Sequence, residues 1–380
     1  MNNPRVVGLG PNERFIGVKG SRSQLCTPAL LLDLDALERN IATMARLTKA
    51  ASVSLRPHCK GGKSIEIARR QIAAGAVGIC CATLSEAEVM ANAGLENILV
   101  TSEATTPAMI DRVTALNAQS NGLIVNVENP LNVDWLATAT EKAGKPLSLL
   151  VEFDVGQDRT GVTNVEAAIT LARKVRASPY LVYRGIHAYY GHMQHIPAAV
   201  DRKRAAEGEM ARIRDLVAAL KAEGLAPEIV TGGGTGTFDT DIAGGVFTEI
   251  QPGSYPFMDR EYYEIERTGE RPFDASLFVL ATVIASRNGH AIVNAGYKAL
   301  ATEGGPPVLL SPKLADVKFM FEGDEHGDLK FDPSGGVLKL GDAVEFLTPH
   351  CDPTINLYNQ YHCVRGDTLV EIWPVDARGY

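Results

Sequence analysis

The sequence predicts a (β/α)8 barrel of the TIM type followed by an all-β domain, an α/β fold class overall. Three observations carry this. Between Ser54 and Gln251, eight short apolar or β-branched runs alternate with longer amphipathic segments, the βα count of a barrel. The polar residues that could do chemistry fall where those runs end. Beyond about Glu264 helical spacing stops, and strand-like runs split by glycine turns follow. A doubly wound sheet is the alternative, but it usually carries fewer strands and one glycine-rich switch point. The expected division is a barrel over residues 27–264, with residues 1–26 and 265–380 forming the β domain. A chain of 380 residues accommodates both.

In chain order, Ala29–Leu34 reads as a short strand and Leu37–Ala50 as a helix. The eight barrel runs are Ser54–Pro57, Gly78–Cys81, Ile98–Ser102, Leu123–Val127, Leu147–Asp154, Tyr183–Tyr189, Glu228–Thr231 and Thr248–Gln251. Ser64 opens a helical segment over Ile65–Ala74. Ser85-x-x-Glu88 has the pattern of a capping box. Thr106-Pro107 and Asn129-Pro130 place an N-cap residue before a proline at the first helical position, where the missing N–H has no intrahelical partner to lose. Ala198–Glu223 reads as a long helix that ends at Gly224. The later strand-like runs are Leu277–Ala285, Ala291–Asn294, Val317–Met320, Val337–Leu340, Ala343–Leu347, Tyr361–Arg365 and Leu369–Trp373.

Composition excludes several classes. A net charge of -8 without a basic run argues against a nucleic-acid partner. No apolar stretch reaches the ~18 residues that would cross a bilayer, and Met1–Ser23 lacks the apolar core of a signal peptide. Six cysteines without a CxxC pair fit reduced thiols in a cytoplasmic protein.

In a barrel the chemistry gathers at the C-terminal ends of the strands. Those ends present His58 and Lys60; Ser102 and Glu103; Asn126; Asp154 and Arg159; His187, Tyr189, His192 and His195; Thr231–Thr237; and Gln251–Ser254. His187 sits within a strand, where a satisfied core histidine is expected. For Lys60 alone, a solvated turn residue is the plainer reading. In an apolar or cation-rich pocket, however, its pKa would fall and the amine would become a nucleophile toward a carbonyl. The run Gly232-Gly233-Gly234-Thr235-Gly236, between Thr231 and Thr237, is either a tight turn or a cradle whose backbone N–H groups approach an anion. Its spacing is neither a Walker loop nor a dinucleotide fingerprint. A lysine and a phosphate cradle in one barrel suggest pyridoxal 5'-phosphate bound as a Schiff base. Arg159 would then face the pyridine nitrogen and, being unable to give up a proton, leave it unprotonated.

In the β domain, His350 and Asp352 are two residues apart. If extended, they share a face while Cys351 points the other way. One imidazole and one carboxylate suit Mg²⁺, Mn²⁺ or Zn²⁺; a surface loop is the plainer reading.

Several motifs occurring in order then match a family. Arg56-Pro-His-x-Lys60, Val155-Gly-Gln-x-Arg159-x-Gly-Val162, Ala188-Tyr-x-Gly-x-x-Gln-His195, Gly232-Gly-Gly-Thr-Gly236, Gly253-Ser-Tyr-x-Phe-Met-Asp259, Asp324-Glu-His-Gly327 and His350-x-Asp-Pro-Thr354 together resemble the D-threonine aldolases. D-serine dehydratase and the 3-hydroxy-D-aspartate aldolases are the wider relatives, all of the alanine-racemase-like fold. The resemblance runs from about Thr27 to the C-terminus. It implies that Lys60 is the Schiff-base lysine and Arg159 the partner of the pyridine nitrogen. Tyr189, Thr231, Gly233, Gly234, Thr235, Gly236, Gly253, Ser254 and Tyr255 are implied to hold the cofactor, with Ser254 and Tyr255 near the phosphate. His350 and Asp352 are implied as metal ligands, and His195 as the group acting on the substrate hydroxyl.

The implied activity is reversible cleavage of a D-3-hydroxy amino acid to glycine and an aldehyde by a homodimer. A dehydratase giving ammonia and a 2-oxo acid is the alternative, and a non-catalytic pyridoxal phosphate-binding protein a more distant one. In the dehydratase branch a cysteine stands where this chain has Asp352, which favours the aldolase. Two departures remain. Relatives commonly read Lys-x-His-Lys where this chain has Lys60-Gly61-Gly62-Lys63, and they tend to carry an aspartate at Asn294. Arg56 and Lys63 are candidates to meet a second substrate carboxylate.

Overall fold

A computed structural model describes residues 8–333 and 338–379. They form two compact units: residues 41–255 with 264–271 and Gly379, and residues up to 40 with 256–263 and 272–378.

The chain begins with β1 (Ala29–Asp33) and α1 (Leu34–Ala50). It continues through β2 (Ser54–Leu55), α2 (Ile65–Ala73), β3 (Ile79–Cys81), α3 (Leu84–Asn92), β4 (Ile98–Val100), α4 (Pro107–Gln119), β5 (Ile124–Val127), α5 (Pro130–Ala143), β6 (Leu147–Glu152), α6 (Val165–Ala177), β7 (Leu181–Ala188), α7 (Ala199–Ala222), β8 (Ile229–Gly232), α8 (Phe238–Gly244) and β9 (Glu249–Ile250). Strands β2 to β9 form one eight-stranded parallel sheet in which β9 returns to β2. Between β2 and β3 the ring is closed by the parallel bridge His58–Cys80, with Cys80 N–H donating to Pro57 O at 2.9 Å and Cys59 N–H to Cys80 O at 2.8 Å. Cys80, Leu99, Ile124, Leu150 and Ile229 fill the interior. Strands covered on both faces have no polar side to show, so they appear in the sequence as apolar runs rather than alternations.

The helix starts follow local chemistry. Ser64, Thr106 and Asn129 each accept a backbone N–H of their helix's first turn. The capping box lies two residues before the expected one: Thr83 accepts from Glu86 N–H, and Glu86 reaches back to Thr83 N–H. Gly224, at φ +69, ends the turn after α7, a left-handed conformation that glycine adopts without a Cβ penalty.

The second unit carries a short helix α9 (Arg260–Glu264), then β10 (Leu277–Arg287), β11 (His290–Val293), β12 (Lys318–Phe321), β13 (Gly327–Lys330), β14 (Ala343–Leu347), α10 (Cys351–Asn356), β15 (Gln360–Arg365) and β16 (Thr368–Pro374). Its sheet runs β12-β13-β11-β10-β1-β15-β16, with β14 also on β10. The strand at Ala29–Asp33 therefore pairs antiparallel with β10 and parallel with β15, whereas the sequence division had put it with the barrel. Its leucines are wholly buried, and such a run reads the same in either sheet. Gly17 N–H and Arg22 N–H reach Leu369 O and Asp367 O beside β16, so the stretch before β1 joins this unit without forming a strand; residues 1–7 lie outside the described residues. The expected run Val337–Leu340 lies partly outside them too, and 338–340 are not strand. β13 escapes a sequence reading because Gly-Asp-Leu-Lys offers a single apolar residue. Among the described residues no helix is long and apolar enough to cross a membrane.

Candidate active site

The barrel strands end around a cavity of ≈ 250 Å³. Its walls are His58 and Lys60 after β2, Ala82 after β3, Thr101–Glu103 after β4, Arg159 and Thr160 after β6, His187 and Tyr189 at the end of β7, and Gln251 after β9. The structure thus brings Lys60, Arg159 and Tyr189 together from three separate loops. The Arg159 guanidinium carbon lies 5.8 Å from the centroid of the Tyr189 ring, within range of a cation–π attraction.

The neighbouring cations are committed elsewhere. Lys63 is buried, 3.4 Å from Glu86 Oε1, and donates to Gly379 O at 3.2 Å. Arg56 makes a buried bidentate pair with Glu249, at 2.8 and 3.1 Å. Neither lines the cavity, which corrects the expectation that Arg56 or Lys63 meets a second substrate carboxylate.

Below the cavity-lining residues runs a polar network. Glu152 accepts from Asn126 Nδ2 at 2.6 Å and Thr160 Oγ1 at 2.9 Å, and lies 3.2 Å from His187 Nδ1. His187 Nε2 lies 3.2 Å from Gln251 Oε1, and Gln251 Nε2 donates to Thr231 Oγ1 at 2.8 Å. Burial disfavours the charged imidazole of His187, but the Glu152 carboxylate outweighs it and raises the pKa. Burial likewise opposes the charge on Glu152, and His187 with the two hydroxyl and amide donors brings its pKa below the ordinary value. His187 is buried, as its strand position suggests, and lies between Glu152 and Gln251, but its Nδ1 makes no well-aligned hydrogen bond, so it is not the fully satisfied histidine expected.

The glycine run is built differently from a bare anion cradle. Gly234 N–H donates to Asp241 Oδ2 at 3.2 Å and Gly236 N–H to Gln194 Oε1 at 2.8 Å. A Cβ on Gly236 would stand 1.9 Å from Gln194 O, and one on Gly233, at φ +68, 2.3 Å from Asp241 Oδ2. Two of the expected anion donors are thus occupied, and close packing is what excludes side chains here. Asp241 also accepts from Tyr190 and Thr237, yet burial dominates and pushes its carboxyl up to about 7. Thr231 acts through Gln251. Thr235 Oγ1 accepts from Ser254 N–H at 3.1 Å, and Gly253 packs against His58. Tyr255 is wholly buried, its hydroxyl accepting from Gln71. The residues from Thr231 to Gly236, Gly253 to Tyr255, and half-buried His195 beyond the turn at Gly191–Met193 are not among those lining the cavity.

In the β unit, His350 is the N-cap of α10 rather than part of an extended segment. The acidic first turn suits a helix N-terminus and curls Asp352 back, leaving its Oδ1 4.0 Å from His350 Nε2. On the other side His350 Nδ1 is 3.7 Å from Glu261 and 3.5 Å from Glu303. Asp259, Glu261 and His350 offer ligand atoms within 4.8 Å of one another, a grouping that adjacent sequence spacing could not reveal. Asp259 is already engaged, accepting from Cys351 N–H at 2.8 Å and Tyr262 N–H at 3.1 Å.

Comparison with known proteins follows this geometry closely. Residues 32–261 match the alanine racemase N-terminal domain family and residues 276–364 the putative serine dehydratase domain. The 3-hydroxy-D-aspartate aldolase of Paracoccus denitrificans (strain Pd 1222) is 40% identical over 364 residues, 94% of this chain and 93% of that protein. The D-threonine aldolase of an Arthrobacter species is 38% identical over 357 residues, 93% of each chain. The crystal structure of D-threonine aldolase from Filomicrobium marinum superposes with a TM-score of 0.89 at 38% identity, covering 93% of this chain and 95% of that one. The chain belongs to the D-threonine/3-hydroxy-D-aspartate aldolase family. This aldolase is a carbon–carbon lyase with the alanine-racemase-like architecture of a barrel and a β-rich domain.

The family uses pyridoxal phosphate, and the aldolase's cavity fits that group, because a primary amine (Lys60), a fixed cation (Arg159) and an aromatic ring (Tyr189) line it together. The residues that offer ligand atoms close together are Asp259, Glu261 and His350, with Asp352 on the other side of the imidazole. Asn294 is tied into the β unit: its Oδ1 accepts Thr282 N–H at 2.8 Å while its Nδ2 donates to Thr27 O and Oγ1 at 3.1 and 2.9 Å. An aspartate could not make the two donations, so this departure is structural. Among cavity residues, Ala82, Thr101 and Thr160 were not singled out from sequence, nor was Glu152 beneath them. A lone carboxylate ending the apolar run Leu147–Val151 is the signal that points to it.

Proposed function

We propose that the enzyme reversibly cleaves a D-configured 3-hydroxy amino acid, of the D-threonine, D-phenylserine or 3-hydroxy-D-aspartate type, to glycine and an aldehyde. The observation that carries it is the convergence of Lys60, Arg159 and Tyr189 on one cavity while Lys63 is buried against Glu86. Pyridoxal phosphate, when bound, takes up the electron pair released as the Cα–Cβ bond breaks, and a divalent ion, when bound, lowers the pKa of the substrate hydroxyl.

Lys60 is the amine that would hold the cofactor. Arg159 keeps a fixed positive charge against the cofactor ring. Tyr189, the glycine run, Gly253, Ser254 and Tyr255 hold and shape the cofactor's site, through Gln194, Asp241 and Gln251 where the run itself is engaged. His350 and Asp352 hold Mg²⁺, Mn²⁺ or Zn²⁺, and His195 takes the hydroxyl proton. The assembly is a homodimer by analogy of fold, and the compartment is the cytoplasm.

Lys60→Ala abolishes the absorbance of bound cofactor at ~420 nm; a band that survives it and disappears in Lys63→Ala sinks the assignment. A panel of D-threonine, D-phenylserine and both 3-hydroxy-D-aspartates, with and without added metal, identifies the substrate. Glycine and aldehyde support the aldolase reading, whereas ammonia and a 2-oxo acid would make the enzyme a dehydratase.

A further inference from the structure

The barrel cavity contains a carboxyl group that none of these roles uses. Glu103 follows β4 and lines the same walls as Lys60, Arg159 and Tyr189. Its Oε1 is buried and unpartnered among the described residues, while the carboxyl group interacts with its own backbone N–H and with the Glu152 side chain. The facing charges come from several elements: Glu152 from β6, Glu128 from the end of β5, His187 from β7, and Lys60, His58 and Arg159 from the cavity wall. Of the two adjacent carboxyls, Glu152 is the one held ionised, since Asn126, Thr160 and His187 all favour its charge. Glu103 is left to carry the proton. Burial first, and then the charge of Glu152, push its carboxyl up to about 7, the range in which an acid–base group both gives and takes protons at neutral pH.

Aldol cleavage moves two protons at two different atoms. The hydroxyl loses one as the carbonyl forms. The α-carbon keeps the electron pair of the broken C–C bond and gains one, so no net proton is consumed. The other imidazoles of the cavity are engaged: His187 between Glu152 and Gln251, and His58 between Thr101 and the Lys60 amide. We propose that Glu103 is the acid that delivers a proton to the α-carbon of the product amino acid, and the base that removes it in the synthetic direction. This rests on the aldolase reading above.

The test uses wild type, Glu103→Gln and Glu103→Asp. With the holoenzyme in D2O, exchange of a glycine α-hydrogen is followed by NMR across pH. Wild type is expected to show a limb at about 7, and Glu103→Gln to exchange at least ~10²-fold more slowly without that limb, its cofactor absorbance intact. Glu103→Asp, which keeps a carboxyl, restores part of the rate with a shifted limb. In the cofactor-free full chain, infrared spectra should show a carboxylic-acid C=O band that fades as pH rises through about 7 in wild type and is missing in Glu103→Gln. Exchange by Glu103→Gln at the wild-type rate, or persistence of the band in it, overturns the proposal while leaving the aldolase reading in place. Failure of wild type to give glycine and aldehyde from any of the panel overturns the aldolase reading, and the proposal with it.

Discussion

Two groups of charges, one in each unit, are built in opposite ways. In the barrel, buried charges are matched one against another: Arg56 with Glu249, Lys63 with Glu86, His187 with Glu152, with side-chain exposures between 2% and 9%. In the β unit a single imidazole at His350 is surrounded by the carboxylates of Asp352, Glu261 and Glu303, exposed by 15%, 22% and 56%. A matched buried pair is complete within the chain and positions the loops around it. A surplus of carboxylates at a partly open site is what the proposed divalent ion would balance. The barrel's ion pairs therefore read as scaffold, and the imbalance in the β unit as a place for a ligand.

Four substitutions test that contrast, in order of expected effect. Arg56→Met strands the buried Glu249 and is expected to cost ~3–5 kcal/mol, read as a lower urea midpoint for the whole enzyme; a loss below ~1 kcal/mol means that the pair is not scaffold. His350→Ala should leave stability and cofactor absorbance as they are while activity falls on the order of 10²-fold and the affinity for Mn²⁺, measured by titration, weakens with it. EDTA treatment of wild type should mimic the variant, and an unchanged Mn²⁺ affinity places the ion elsewhere.

Asp241→Asn tests the unmatched buried acid of the barrel. Its folded-state carboxyl sits at about 7 against ~3.9 in the unfolded chain, so the folded form binds the proton more tightly. Its contribution to stability is full below ~3.9, falls as pH rises, and is gone above about 7. The variant should lose ~1–3 kcal/mol from a disturbed hydrogen-bond set and lack that decline, seen in urea unfolding at a series of pH values. Glu88→Ala removes an exposed partner of Arg112 at 2.8 Å and is expected to change stability by less than ~0.5 kcal/mol. A larger change would show that surface pairs carry more of this fold than its buried ones suggest.

The sequence made the barrel legible because its strands, helix caps and turn glycines each obey a local rule. Ser64, Thr106-Pro107, Asn129-Pro130 and Gly224 act where their chemistry says they should. Lys60, Arg159 and Tyr189 were legible as strand-end residues, and Glu103, His187 and Gln251 with them. What escaped depends on contacts between residues far apart in the chain. β1 joins the second sheet through partners some 250 and 330 positions away. The occupation of the Gly234 and Gly236 amides depends on where Asp241 and Gln194 point, which no spacing rule encodes. The curl at His350 was missed because Asp352-Pro353 reads as extended until the helix start is recognised, as the restriction imposed by proline suggests.

One feature of the barrel has a mechanical meaning. The ring is held at seven junctions by ladders of paired strands, and at the eighth by a single bridge, His58–Cys80. Lys60, the amine proposed to attach the cofactor, stands two residues from that bridge. Three backbone hydrogen bonds cross that seam, from Val77 N–H to Leu55 O, Cys80 N–H to Pro57 O and Cys59 N–H to Cys80 O, so a ligand held on Lys60 would be fastened beside the one junction that lacks a strand ladder.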